Sequence, residues 1–375
     1  MTHFADDLMG AVREKKSVVC AGFDVTPERI PAYIAEIAYK SKIGKYDDLS
    51  NVPDAFMVDA TVEAIYIYNV ELIRALHDVV PVIKPNMAFY ETFGPKGLEV
   101  LQRVVNHARS KGLQVILDGK RNDIGPTAKR YADEVVGETA LLDREERETT
   151  TTVFDGDATT LNPYLGIDGV QPFLDYVDNG KGVFVLARTS NKSAADMQDR
   201  LVDLNPGEIE FIDKRLKDSK LSLMNLPVME RKKEAHPEAD LEGKAPLYVV
   251  AGKLIDQWGE PYIGQSGYSS VGAVVGATYP IEASVLRKLM KYSVFLLPGY
   301  GAQGGGPEGA AEGFDENGMG AVVNNSRALY AAWMTDRYKN DFPPEKFADA
   351  ARQAAIDMRD EINTALEKAG KVYWE

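Results

Sequence analysis

Apolar and polar positions come in blocks along this chain. A short run rich in β-branched and aliphatic residues is followed by a polar or glycine-bearing turn, and then by apolar residues at helical spacing. The runs are SVVCAGFD (17–24), VVPVIKPN (79–86), QVILDGK (114–120), DATTLNP (157–163), GVFVLART (182–189), VGAVVGAT (271–278), SVFLLPGYG (293–301) and GAVVNNSR (320–327). Each is apolar without in–out alternation, the pattern of a parallel strand covered on both faces. Helical spacing follows at 58–78, at about 94–110, from Pro126, from Ile167 or Asp168, before Trp258, through PIEASVLRKLMKY and through ALYAAWMTDRY. Eight strand–helix alternations predict an α/β (β/α)8 TIM barrel, with a doubly wound open sheet as the rival architecture.

The whole chain, 1–375, reads as a single barrel domain. Charged stretches at 40–52, 137–156 and 205–245 read as surface insertions with solvated faces. Residues 343–369 carry Phe347, Ala351, Ala354, Ala355, Met358 and Ile362 near helical spacing, which predicts a last amphipathic helix capping the barrel. In such barrels the active site lies at the C-terminal ends of the strands. Asp24, Lys84, Asp118, Lys120, Asn162, Thr189, Ser190, Thr278 and Arg327 all fall at or just past a strand end.

Charge and composition narrow the function. The formal net charge of −14 argues against a nucleic-acid partner, which calls for a basic stripe. No run approaches 18 apolar residues, so no membrane span is expected. The opening segment MTHFADDLMGAVREKKS carries acids and lacks an apolar core, unlike a secretory signal. Cys20 is the only cysteine, which removes intrachain disulfides and cysteine-rich zinc sites and fits a reducing, cytoplasmic compartment. His3, His77, His107 and His236 are scattered without metal-ligand spacing.

The stretch VILDGKRNDIGPTAKRYADE (115–134) carries the candidate chemistry. On a strand, Asp118 and Lys120 project from one face, roughly 6–7 Å apart. Asp123 follows in the turn, and Pro126 suits a first helical turn. Two acids and a lysine at a strand end are costly to desolvate, so a plain core strand would not select them. The competing structural reading makes Asp123 a helix cap and Asp118–Lys120 a surface ion pair. Flanking carboxylates stabilise an ammonium, so Lys120 is expected to stay protonated and act as a proton donor or cationic stabiliser rather than an imine-forming amine. Lys84 ends the preceding strand, and an alternating Lys84–Asp118–Lys120–Asp123 array is expected.

A second constellation is FLLPGYGAQGGGPEG (295–309) with VNNSRALY (323–330). Its glycines let backbone N–H groups approach an anion, Gln303 adds an amide donor, and Arg327 can grip a phosphate bidentately. Loops after strands 7 and 8 are the usual phosphate site in these barrels.

The D-x-K-x-x-D-I-x-x-T pattern of Asp118, Lys120, Asp123, Ile124 and Thr127 resembles that of orotidine 5′-phosphate decarboxylases. The resemblance extends through AGFDVTP (21–27), IKPNMAFYE (83–91), TLNPYLG (160–166), VLARTSN (185–191) and PGYGAQGG (298–305), and is strongest to the longer bacterial subgroup. It implies decarboxylation of orotidine 5′-phosphate to uridine 5′-phosphate in de novo pyrimidine synthesis, with no metal or cofactor. Lys120 would protonate C6 after CO₂ leaves, Asp118 would sit beside the departing carboxylate, and Lys84 would belong to the same charged chain and reach the ribose. Asp123 and Thr127 would come from the partner subunit of a homodimer and contact the ribose. Asp24 would hold a ribose hydroxyl, Ser190 would face the pyrimidine edge with Thr189 as the competing contact, and Gln303 with Arg327 would grip the phosphate. The N-N-S-R context of Arg327 departs from the compact subgroup's V-G-R. Rival readings are a Mg-dependent sugar-phosphate synthase or decarboxylase of the same superfamily, and a non-catalytic nucleotide-binding barrel.

Overall fold

Each of the eight apolar runs forms a strand in the computed structural model, which describes residues 3–44, 49–142, 149–217, 219–301 and 304–374. The strands are β1 (Val19–Gly22), β2 (Val82–Lys84), β3 (Gln114–Leu117), β4 (Ala158–Leu161), β5 (Gly182–Arg188), β6 (Ser269–Val275), β7 (Ser293–Leu297) and β8 (Ala321–Asn325). They lie side by side in chain order, all parallel, and β8 pairs back onto β1 through Val19–Val323 and Cys20–Asn324. The sheet is therefore a closed barrel, not a doubly wound open sheet. Every residue of β1, β6, β7 and β8 is buried. Side chains on one face fill the barrel and those on the other meet the helices, which explains the unbroken apolar runs.

The outer layer is less regular than the periodicity predicts. The helices α1 (Phe4–Lys15), α2 (Ala32–Ile43), α3 (Asp54–Leu76), α4 (Pro95–Ser110), α5 (Gly125–Val135), α6 (Leu247–Gly259), α7 (Pro280–Leu289) and α8 (Phe347–Lys368) carry most of it. After β4 the expected helix breaks into the short turns Pro163–Leu165, Ile167–Gly169, Gln171–Leu174 and Val177–Asn179. Pro163, Gly166, Gly169, Pro172 and Gly180 interrupt any longer ladder there. The ALYAAWMTDRY stretch likewise yields only Arg327–Tyr330 and Ala332–Met334.

Two helices close the structure. α1 precedes the first strand–helix alternation; its Phe4 sits against Gly182 and meets Phe184 edge-on, ring centres 5.8 Å apart, at the N-terminal mouth of the barrel. α8 runs along the barrel wall, touching α3, β1, the Arg327–Tyr330 turn and the short helix Pro307–Ala311. Its Ala350, Ala351, Ala354 and Ala355 are buried, and Phe347 stacks on Tyr68 at 4.2 Å. Small side chains on that face allow close helix packing, so α8 occupies the eighth place of the outer ring.

The three charged stretches differ in kind. Residues 40–52 finish α2 and approach α3, with 45–48 outside the described residues. Residues 137–156 include an antiparallel pair, Thr139–Ala140 with Thr150–Thr151, and 143–148 lie outside the described residues. Residues 205–245 fold into helices Pro206–Leu216 and Pro227–Ala235, and Lys244–Pro246 pairs antiparallel with Leu201–Asp203. Ile212, Leu216, Leu226, Met229 and Leu241 are buried within it. Beneath its solvated charges this insertion therefore buries apolar side chains that join the hydrophobic cluster of the barrel. Among the described residues, no helix is long and apolar enough to cross a membrane.

Candidate active site

The C-terminal ends of the strands open into a cavity of 1140 Å³. Asp24, Lys84, Asp118, Lys120, Ser190 and Arg327 all line it. The strand ends place the first three. Lys84 is the last residue of β2, Asp118 follows β3 and pairs with Asn86 across the strand edge, and Asp24 lies two residues past β1.

Asp118 is the hub. One carboxylate oxygen accepts from Lys84 Nζ at 2.5 Å, and the other accepts from Lys120 Nζ at 2.5 Å and from Thr160 Oγ1 at 2.8 Å. Asp118 and Lys84 are each about 5% exposed, whereas the Lys120 side chain is 43% exposed. Burial alone would raise the Asp118 pKa, but the adjacent Lys84 and Lys120 ammoniums outweigh it and hold the carboxyl well below the usual range. Burial works against charged Lys84 too, yet Asp118 and Asp24 hold its pKa above the ordinary value. Asp118 and Lys84 are therefore charged at neutral pH, as a pair.

Lys120 arrives differently from the sequence expectation. β3 ends at Leu117, so Asp118 and Lys120 do not share a strand face. Lys120 instead adopts a left-handed backbone, with φ of 51°, which turns its side chain back onto Asp118. A non-glycine residue there is strained and persists only when its surroundings hold it. Thr160 on β4 supplies that hold. Its hydroxyl accepts from Lys120 N at 3.0 Å while donating to Asp118. Thr160 had not been singled out from sequence, because only the pairing of β3 with β4, Leu117 opposite Thr159, brings it there.

Asp24 offers one fully buried carboxylate oxygen without a hydrogen-bond partner among the described residues. A buried unsatisfied acceptor at a cavity wall is suited to a ligand hydroxyl. Arg327 is exposed at the start of the Arg327–Tyr330 turn and reaches the same cavity. Ser326 beside it lies so close to β1 that a Cβ on Gly22 would meet its Oγ at 1.9 Å. Arg29 and Asn325 also line the cavity, and no sequence motif marks them.

The chain matches the model of the Orotidine 5'-phosphate decarboxylase / HUMPS family over residues 19–334. It is 34% identical to the orotidine 5'-phosphate decarboxylase of Caldicellulosiruptor bescii, over 98% of this chain and 100% of that one. Against the Clostridium perfringens (strain SM101 / Type A) orotidine 5'-phosphate decarboxylase it is 35% identical, over 97% and 99% of the two chains. The chain belongs to this family. A Leishmania donovani OMP decarboxylase structure superposes with a TM-score of 0.60 at 24% identity, covering 97% of this chain and 99% of that one, and speaks for the fold.

Several residues implied by the orotidine 5′-phosphate decarboxylase resemblance stand apart from the cavity. Asp123 Oδ1 accepts from the next backbone N–H, that of Ile124, at 2.7 Å, and neither Asp123 nor the exposed Thr127 lines the cavity of its own chain. The expected four-membered charge array is thus three-membered within one chain, because the backbone turns outward after Lys120. Gln303 lies outside the described residues. In the glycine-rich loop, the N–H groups of Gly301, Gly304 and Gly305 are spent on carbonyls of Gly305, Gly301 and Gly299. That loop therefore presents fewer free backbone donors than its glycine count suggests. Thr189 and Ser190 both line the cavity, but Thr189 Oγ1 is engaged by Gln198 and Asn191, whereas Ser190 Oγ has no such bond among the described residues.

Proposed function

We propose that Lys120 delivers the proton to C6 as this chain decarboxylates orotidine 5′-phosphate to uridine 5′-phosphate in pyrimidine biosynthesis. The observation that carries this reading is Asp118, buried and ionised between two ammonium groups at the mouth of the barrel. The C6–carboxylate bond breaks, CO₂ leaves, and the bonding electron pair stays on C6. Lys120 then gives an N–H proton to C6 and is left as an amine, which solvent reprotonates. Negative charge disappears beside Asp118 while it grows beside Lys120. The array therefore favours the charge distribution of the transition state over that of the bound carboxylate.

The remaining groups hold the substrate. Lys84 fixes Asp118 from below, and the unpaired Asp24 oxygen accepts from a ribose hydroxyl. Ser190 faces the pyrimidine edge. Arg327, with Gln303 from the glycine-rich loop, grips the phosphate. That remote contact helps organise the charged groups without touching the reacting carbon. No metal or cofactor enters this scheme. A cytoplasmic enzyme without nucleic-acid or membrane partners is the corresponding setting.

Arg327→Ala is expected to raise KM for orotidine 5′-phosphate by about ten- to a hundredfold, the worth of one charged hydrogen-bonded contact, with a smaller change in kcat. Following the pyrimidine absorbance measures both constants. An unchanged KM removes Arg327 from the phosphate site.

Asp123 and Thr127 act in the site of a partner subunit in a homodimer. Ile124, Tyr164, Leu165 and Ile167 are 53%, 75%, 42% and 37% exposed. The two segments that carry them are neighbours, since Gly169 lies against both the Leu165 side chain and the Asp123 carbonyl. An apolar patch of that kind beside an acid suits a second copy of the chain. Lys120→Ala and Asp123→Ala chains should each be nearly inactive alone. Co-expressed, they should regain about a quarter of wild-type activity, because a mixed dimer then holds one intact site. No recovery in a verified mixed dimer means that Asp123 does not cross the interface.

A further inference from the structure

The segment that carries Ser190 is held by groups outside the Lys84–Asp118–Lys120 cluster, some buried and some in the cavity wall. Arg188, the last residue of β5, is 1% exposed. Its guanidinium pairs with Asp199 at 3.1 Å and lies over the rings of Tyr279 and Tyr248 at 4.1 and 5.3 Å. Asp199 also meets Arg231, at 3.5 Å, from helix Pro227–Ala235 of the large insertion.

Gln198, itself part of the cavity wall, joins this group to Thr189. Its Oε1 accepts from Arg188 Nη1 at 3.2 Å and from Thr189 N at 3.0 Å, and its Nε2 donates to Thr189 Oγ1 at 2.8 Å. Thr189 Oγ1 in turn donates to Asn191 Oδ1 at 2.7 Å. With two donors converging on one oxygen, the amide cannot flip without setting N–H against N–H. On the opposite side Gly276 donates to Arg188 O at 2.7 Å, and a Cβ at position 276 would meet Ser190 Cα at 2.9 Å. Residues 188–191 are thus clamped between Gln198 and Gly276, and Ser190 Oγ has no hydrogen bond among the described residues.

We infer that Gln198 is a positioning residue for pyrimidine recognition: oriented by the buried Arg188–Asp199 pair, which the 205–245 insertion reaches through Arg231, it holds Ser190 at the base. This rests on the reading of Ser190 as the pyrimidine contact. A side chain held by several converging hydrogen bonds and an ion pair keeps its geometry to within the fraction of an ångström that recognition needs.

The test compares two ligands on the full-length enzyme, uridine 5′-phosphate and ribose 5-phosphate, which carries a hydroxyl at C1′ in place of the base. Gln198→Ala and the near-isosteric Gln198→Met are expected to weaken uridine 5′-phosphate at least tenfold and to leave ribose 5-phosphate within twofold. A general structural defect would weaken both alike, and that result overturns the inference. Ser190→Ala is measured beside them. If Ser190→Ala weakens uridine 5′-phosphate and neither Gln198 variant does, the positioning role is wrong while the Ser190 contact stands. If Ser190→Ala changes nothing, the contact itself falls and takes the positioning role with it.

Discussion

Lys120→Ala is expected to lower kcat by about a thousandfold or more while leaving affinity for uridine 5′-phosphate within about tenfold. A positioned general acid contributes about 10²–10⁴ to a rate, and a fixed charge at the developing anion adds a comparable factor. Lys120 supplies both at once, so the two losses coincide. The variant should fold normally, because the Lys120 side chain is 43% exposed and Asp118 keeps Lys84 and Thr160 as partners. Single-turnover kinetics combined with product-binding calorimetry separates chemistry from binding. Turnover close to wild type would end the proton-donor assignment.

Asp118→Asn should damage both stability and catalysis. It leaves the buried Lys84 ammonium without its nearest anion, and breaking one side of a buried ion pair costs about 3–5 kcal/mol. The expectation is a loss of about 3 kcal/mol at pH 7 in denaturant unfolding and a kcat at least a hundredfold lower. The pH dependence has a definite sign. The depressed Asp118 pKa contributes stability that is complete above the ordinary carboxylate value of about 4. This contribution is lost as pH falls from there toward the depressed value. The raised Lys84 pKa contributes stability that is complete below about 10.4 and is lost as pH climbs through the raised value. The difference between wild type and Asp118→Asn should therefore narrow below about pH 4, where the Asp118 carboxyl of the unfolded chain takes up a proton while the folded one stays ionised. Equal stability of the two at pH 7 would mean that the Lys84–Asp118 pair does not hold the site together.

The strands were legible because parallel strands buried on both faces need unbroken apolar runs, and nothing else in a chain of this kind requires them at such regular intervals. The C-terminal rim followed, since polar residues interrupt those runs only where the barrel opens. The helices were less legible. After β4, Pro172 and the glycines at 166 and 169 override the apolar spacing, and α1 went unassigned although Phe4, Leu8 and Val12 are buried on one face. The 205–245 insertion looked like a solvated face because its charges dominate the composition, while Ile212, Leu216, Leu226, Met229 and Leu241 are too widely spaced to announce a core.

From the amino-acid order alone came the barrel, the family resemblance and the set Asp24, Lys84, Asp118, Lys120, Ser190 and Arg327, all of which share one cavity. These belong to single strand ends, and a local pattern suffices to find them. Closure of the sheet decided the rest. It brought Thr160 onto Asp118 and Lys120, set Gln198 behind Thr189, and turned Asp123 and Thr127 away from their own chain's cavity. Such contacts join residues far apart in the chain through strand register and a left-handed backbone at Lys120, and neither leaves a periodic trace in sequence.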